Sequence, residues 1–421
     1  MRGSSRFFTV LLILGTFFFF NPYDGAGMEH WKFVFIYWCS AFVVLTTGIG
    51  FLNKYEDDIG WWVIPMVLSV WGVAFWSYDE YLFSSKALFC GSVLLTYALC
   101  AQVYDRRWRT RYINLVLGCS AVTAVYTIIQ YLGYDPIFCV RDLQGKCFSS
   151  GGRLNAVGII GNPGFLGIIL IPAFLLGAWH GLVLGAVAGM LSMITILVAS
   201  ARTALVGISF LVPFIVPWTV AHWFGSPARI RLCLRIQTVV LMIAISISLF
   251  IGMGDLSNST ITKLDQRTSH RIFGWRIAGR IAYDNSVLGI GMGNFRRVSG
   301  VYRVAMKQSP EGKAYPESMY SREYWWNYAH NEFLQSLAEL GIIGFGLIVV
   351  IVFSLAWMFS SIPHTTESYL MTQAWFAMVV TCIGHYTLRF APTGVILLLV
   401  TALTFSYFRD WRKSIITGID S

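Results

Sequence analysis

The stretch Trp325–Gly346, "WWNYAHNEFLQSLAELGIIGFG", changes character halfway along. It opens polar and aromatic, with His330, Asn331, Glu332 and Glu339, and then turns apolar. From 333 to 359 the chain is apolar for long enough to cross the hydrocarbon core of a bilayer as a helix. Ionisable groups therefore stand at the mouth of a membrane helix, where their cost tends to mark a function.

The rest of the chain agrees with that helix. Of its 421 residues, 56% are apolar, 16% aromatic and only 12% charged, outside the range of soluble domains. Apolar runs of spanning length stand at 6–22, 33–52, 61–77, 84–104, 112–132, 157–178, 181–199, 203–221, 236–254, 333–359, 370–389 and 392–408. The expected fold is an all-α polytopic membrane protein of about twelve transmembrane helices, a single integral membrane domain over 1–421. Arg2 and Arg6 followed by Phe7 to Phe20 would also suit a signal peptide, but "NPYDGAGMEH" is a poor cleavage site and the segment is taken as a span.

Basic residues in short connections set the orientation. "DRRWRTR" (105–111), "FGSPARIRLCLR" (224–235) and "RDWRKS" (409–414) fall, with twelve spans, on the same side as the N-terminus. That side is expected to be the cytoplasm, with both termini there. The outward face then owns a long connection, 255–332, between spans 9 and 10. It is itself basic, which a loop of more than about 60 residues tolerates, and it asks for an anionic partner. Six of the eight cysteines sit in or beside apolar segments. Cys139 and Cys147, in an outward loop, are close enough in sequence to pair or to remain as two thiols.

Within the long loop, "LDQRTSHRIFGWRIAGRIAYDNS" (264–286) places Ile272, Trp275, Ala278, Ile281 and Ala282 at helical spacing among Arg267, Arg271, Arg276 and Arg280. This is expected to be an amphipathic helix lying at the membrane surface. "GIGMGNF" (289–295) is expected to be a turn. Its glycine spacing resembles a phosphate cradle without the strand and helix of a dinucleotide fold around it.

Three outward positions carry candidate chemistry. Arg202 sits in "LVASARTALVG", between two apolar runs, where snorkelling to lipid headgroups is the plain alternative. Arg271 lies on the expected surface helix, where a lipid-phosphate contact is the plain alternative. His330 is expected to open the helix that runs through "EFLQSLAELGIIG", and a lone histidine there often has only a structural role. All three project to one face of the membrane. A helix N-terminus and nearby guanidiniums both disfavour a protonated imidazole. His330 would then be a neutral base beside groups suited to phosphate oxygens, a pairing that fits group transfer from a phosphate-activated donor. Asn331, Gln335 and Glu339, four residues apart, form a polar stripe that lines a cavity or bonds to neighbouring helices. No outward D-x-D or Cys/His cluster suggests a metal, "YEDD" (55–58) is expected to be cytoplasmic, and nothing points to a cofactor or to nucleic acid.

Four blocks resemble the O-antigen ligase and polymerase superfamily of bacterial envelope enzymes: "GRLNAVGIIGNPGFLG" (152–167), "SARTALVG" (200–207), "HRIFGWRIAGRIAYDNSVLGIGMGNF" (270–295) and "AHNEFLQSLAELGIIG" (329–344). Their order and the large loop before the histidine match over most of the chain from about 110 onward. Asn285–Ser286–Val287 stands where the family usually has a proline before Leu-x-Gly, and Gly164 where an asparagine is common.

The resemblance implies a metal-independent, inverting glycosyltransferase of the inner membrane with a periplasmic active site. It would move a glycan from undecaprenyl diphosphate to an acceptor hydroxyl. Arg202 and Arg271 would bind the diphosphate and His330 would activate or orient the acceptor. Arg153, Asn162, Asn331, Arg276 and Gln335 would help to bind substrate. The implied partners are the lipid-linked donor, membrane lipids, and lipid A–core oligosaccharide or another glycan as acceptor. A repeat-unit polymerase and a protein O-oligosaccharyltransferase share these motifs. A lipid or glycan transporter is the rival from another class, expected to carry ionisable groups near mid-membrane.

Overall fold

The computed structural model describes residues 2–19, 29–52, 91–135 except 93 and 104, 137, 149–177 except 151, 152 and 155, 183–215, 227–254, 266–320, 327–361 and 365–417. It is built of helices α1 (Arg2–Phe18), α2 (Glu29–Leu52), α3 (Arg106–Tyr131), α4 (Pro163–Gly177), α5 (Val183–Val198), α6 (Arg202–Ser209), α7 (Pro227–Met253), α8 (Gln266–Asp284), α9 (Phe295–Gln308), α10 (Glu332–Ser360), α11 (Thr366–Gly384) and α12 (Ala391–Thr417). A two-residue antiparallel pairing, Ser149–Ser150 with Arg153–Leu154, is the sheet among the described residues.

Helices stand at ten of the twelve expected apolar runs; 61–77 lies outside the described residues and 84–104 is described only from 91. Four are long and apolar enough to cross a membrane, over Arg106–Tyr131, Ala228–Met253, Glu332–Ser360 and Ala391–Ser414. Shorter apolar helices, among them Pro163–Gly177 and Val183–Val198, accompany them. The chain divides into two compact units, one of residues 1–213, 362–379 and 387–421 and the other of 214–361 and 380–386.

In the first unit, ion pairs gather the chain's two ends. Arg6 meets Asp105 at 3.2 Å, and Asp105 caps α3 by accepting from the Arg107 amide. Arg109, buried, reaches Asp410 at 2.8 Å and Ser406 at 3.1 Å on α12. The expected basic segments 105–111 and 409–414 therefore share one end of this unit with the start of α1. Deeper in, Gln102 accepts from Thr9 (2.6 Å) and Tyr112 (2.8 Å) and donates to Ser5 (2.8 Å). Such closed polar networks join helices that have no hydrophobic drive to associate in lipid.

The second unit is built around α8. Phe273, Ile277, Ala278, Ile281 and Ala282 are all buried, and they share a core with Phe295 and Met306 of α9 and Leu334, Leu337 and Ala338 of α10. This corrects the expected surface helix. The spacing found Ala278, Ile281 and Ala282, but the buried arc is wide and takes in Phe273 and Ile277 as well, so α8 is a packed element rather than a float. Gly279 permits this, because a Cβ there would lie 2.1 Å from the Gly252 carbonyl oxygen of α7.

Helix α10 is broken where the sequence suggested continuity. Gly341 has φ 62° and ψ −170°, inside α10. The freed backbone groups are met by the loop after α8: Ile342 N donates to Ser286 O (2.8 Å), and Ile290 N and Gly291 N donate to Ala338 O (3.0 Å) and Glu339 O (2.9 Å). Gly289, Gly291 and Gly293 all take positive φ in this turn, so the glycines of "GIGMGNF" serve a tight backbone junction. A Cβ at Gly341 would stand 2.1 Å from Val287 O.

Candidate active site

Local geometry sets His330 apart before any chemistry is considered. It is not the first residue of α10, as expected, but precedes the cap, with φ +56°. A non-glycine residue in the left-handed region carries strain that the surroundings must hold. Asn331 is the cap, accepting from the Leu334 amide at 3.0 Å. Trp275 of α8 donates its indole N–H to the His330 carbonyl at 3.2 Å.

Two rings stand against the imidazole. His385 lies 5.4 Å away, edge to face, and Tyr386 lies 5.1 Å away. Tyr386 stacks at 4.1 Å on Tyr328. The expected span 370–389 ends early, because α11 stops at Gly384 and the polar "HYT" leaves the helix. His385 and Tyr386 thus belong to the site although the sequence did not single them out. The signal was a polar interruption in an apolar run.

Burial pushes the His330 imidazole down from an ordinary 6.5 to about 4, with the Arg271 charge and then His270 adding to the effect. His385 is pushed well below its ordinary value by burial first, then by His330 and Arg271. His270, on α8 itself, is lowered by burial. A neutral His330 was expected from a helix N-terminus and nearby guanidiniums; burial comes first among the causes, followed by the Arg271 guanidinium one helix away.

The polar stripe is largely tied down. Gln335 accepts from the Ala329 amide (2.9 Å) and donates to Glu339 (3.1 Å). Glu339 accepts from the Phe295 amide at the start of α9, at 3.4 Å. The stripe thus fixes the segment before His330 and the N-terminus of α9. Asn331 is different: its Nδ2 is fully buried and has no hydrogen-bond acceptor among the described residues.

Arg276, 2% exposed, is engaged elsewhere. It makes two bonds to the Glu311 carboxylate, at 2.5 and 2.8 Å, and one to Gly252 O at 3.3 Å, while Arg280 joins the same carboxylate at 3.0 Å. Those contacts hold the loop after α9 to α8.

In the first unit, α5 ends with Ser200 at φ +51°, its amide and that of Ala201 returning to Leu197 O and Ile196 O at 3.0 Å. This Schellman turn makes the hairpin tight and sets exposed Arg202 at the head of α6. Gly167 lets α4 approach, since its Cβ would meet Ala201 at 2.4 Å. Asn162 precedes α4 and accepts from Gly164 N at 2.8 Å. Arg153 lies in the short strand pairing. Cys139 and Cys147 lie outside the described residues. Among the described residues no group of three or more His, Cys, Asp or Glu could hold a metal ion.

A largely buried histidine, an arginine on a neighbouring helix whose charge reaches it and a buried amide donor beside it make up the candidate site. Residues 186–349 match the family model described as O-antigen ligase. This match, over a stretch that contains Arg202, Arg271 and His330, supports membership of the O-antigen ligase superfamily and a ligase- or polymerase-type glycosyltransferase activity. No curated protein matches the chain.

Proposed function

We propose that this protein transfers a glycan from undecaprenyl diphosphate to an acceptor hydroxyl, lipid A–core oligosaccharide in the first instance, at the periplasmic face of a bacterial inner membrane. In this reading the protein crosses the membrane about twelve times, both termini are cytoplasmic and 255–332 is periplasmic. The observation that carries it is a neutral His330 under the charge of Arg271, within a chain matched to this family.

The acceptor hydroxyl attacks the anomeric carbon while His330 takes its proton. The bond from that carbon to the phosphate oxygen breaks, and the carrier leaves as the diphosphate with one more negative charge. Arg271 stabilises that charge as it grows, which is where a preorganised cation contributes most. Arg202 is assigned to the same anion on the strength of its sequence block. Asn331 Nδ2 supplies a donor to a substrate hydroxyl, while Arg276 and Gln335 support the site through the elements they hold. Arg153 and Asn162 contribute to substrate binding from the sequence block 152–167. Direct displacement inverts the anomeric centre.

The test is transfer by purified protein given an undecaprenyl diphosphate-linked glycan and either rough lipopolysaccharide or further lipid-linked repeat. A product on lipopolysaccharide, absent with His330→Ala, establishes a ligase. A ladder on the carrier establishes a polymerase instead, and no product with either acceptor refutes both. The activity is expected to persist in EDTA.

A further inference from the structure

Two of the helices long enough to cross a membrane, α7 and α10, lie in the second unit and touch near their ends. At one end Leu334 packs directly on Gly252, where a Cβ would lie 2.5 Å from the leucine Cδ1. At the other the Arg235 guanidinium stands over the Trp357 ring, 4.8 Å from its centroid. α7 joins these two contacts over 235–252 and α10 over 334–357, so α10, broken at Gly341, takes the longer course. A groove of about 610 Å³ lies between them, lined by Val239, Met242, Ile243 and Phe250 of α7 and by Phe353 of α10.

The groove offers water no partner. Its one polar side chain, Ser246, turns its hydroxyl back to Met242 O at 2.9 Å. From Val239 to Phe250 it runs about 16 Å at the rise of an α-helix, close to the depth of one leaflet's hydrocarbon, about 15 Å. That length and that chemistry suit an acyl chain.

The residues at its head select the headgroup. Arg231 and Arg235 continue the row of Val239, Met242, Ser246 and Phe250 by helical steps of three and four. Both arginines are exposed. Phe353, stacked at 5.8 Å on Trp357, carries the groove wall up to the Arg235 guanidinium. A guanidinium held flat on a ring still presents its N–H edge, and that edge pairs with phosphate. No acid occurs in the chain from 200 to 254 or from 340 to 366. Glu367, the next acid along, bonds to Tyr407 in the other unit. Two cations at the mouth of an apolar groove, with no carboxylate on the facing stretch of either helix, match an anionic lipid.

We infer that α7 and α10 form a phospholipid site, in which Arg231 and Arg235 hold an anionic headgroup phosphate and the groove takes one of that lipid's acyl chains. This is independent of the reaction proposed above.

The experiment adds phosphatidylglycerol, phosphatidylcholine, undecaprenyl phosphate or inorganic phosphate to the full chain, delipidated in a neutral detergent, and counts bound lipid by native mass spectrometry. Phosphatidylglycerol is expected to bind at least about fivefold more tightly than phosphatidylcholine, and inorganic phosphate should not displace it. Arg231→Gln with Arg235→Gln should remove that preference, whereas the same loss of charge through Arg107→Gln with Arg412→Gln should leave it. Ser246→Trp, which fills the groove, should weaken phosphatidylglycerol binding by a similar factor. All five positions are exposed, so the variants should purify as the parent does. Equal affinity for the two phospholipids, a preference lost equally in the Arg107 and Arg412 variant, or binding that Ser246→Trp leaves intact would overturn the inference. Displacement by inorganic phosphate would reduce the site to a bare anion contact and overturn it too. Tighter binding of undecaprenyl phosphate than of phosphatidylglycerol would give the groove to the carrier instead.

Discussion

Arg271 and Arg276 stand five residues apart on one helix, about 140° around its axis, and they have different surroundings. Arg276 is buried and doubly bonded to Glu311, so its charge is neutralised where it sits. Arg271 is half-buried, and its charge is felt by His330 and His385, both held neutral. The difference teaches that an arginine near a membrane is read through its partners rather than its position. One guanidinium serves the fold and the other sets the electrostatics of the candidate site.

The strongest way to break this division is to remove the base. His330→Ala should lower transfer by about 10³-fold or more, the upper part of the range for a lost general base, while the protein still purifies as a folded species. Near-normal turnover would remove His330 from the chemistry. Next, Arg271→Lys should lose about 10² in kcat with little change in thermal stability, because lysine keeps the charge but not the two-pronged geometry. Arg276→Gln should do the reverse. Stranding Glu311 next to Arg280 alone should cost about 3 kcal/mol or more of stability, read as a lower unfolding temperature, with kcat changed far less. If both variants lose activity alike at unchanged stability, the two arginines share one role. His385→Asn should have a smaller effect, about tenfold in kcat, because it shapes the surroundings of His330 without accepting the proton.

These comparisons also show what was legible in the sequence. Apolar run length placed helices at most expected spans, since length and hydropathy decide whether a segment enters a bilayer. His330 and Arg271 were singled out because ionisable groups beside apolar runs are conspicuous. Arg276 looked equivalent to Arg271, since nothing local indicates that Glu311, 35 residues on, closes over it. His385 was missed because it arrives from the end of another helix, 55 residues downstream, and no spacing rule links it to His330. The break at Gly341 needed knowledge that Ser286 and Ile290 would meet it. Long-range pairing decided each of these, and periodicity is silent on that.

The smallest expected effect is a displacement on the pH axis, and it separates the two arginines most directly. His330 must be neutral to accept a proton, and in the free protein it protonates only near pH 4. kcat/KM should therefore stay level from neutrality to about pH 5 and fall below that, where an ordinary histidine would fail near 6.5. Once the donor is bound, its diphosphate offsets the Arg271 charge and part of the depression is relieved. The limb of kcat should then lie at higher pH than that of kcat/KM. Arg271→Gln should move the kcat/KM limb upward by removing the charge in advance and should bring the two limbs together. Arg276→Lys keeps a cation against Glu311 and should move neither limb. If that variant shifted the profile as much as Arg271→Gln, the charge acting on His330 would be that of α8 as a whole, and the distinction between its two arginines would fail.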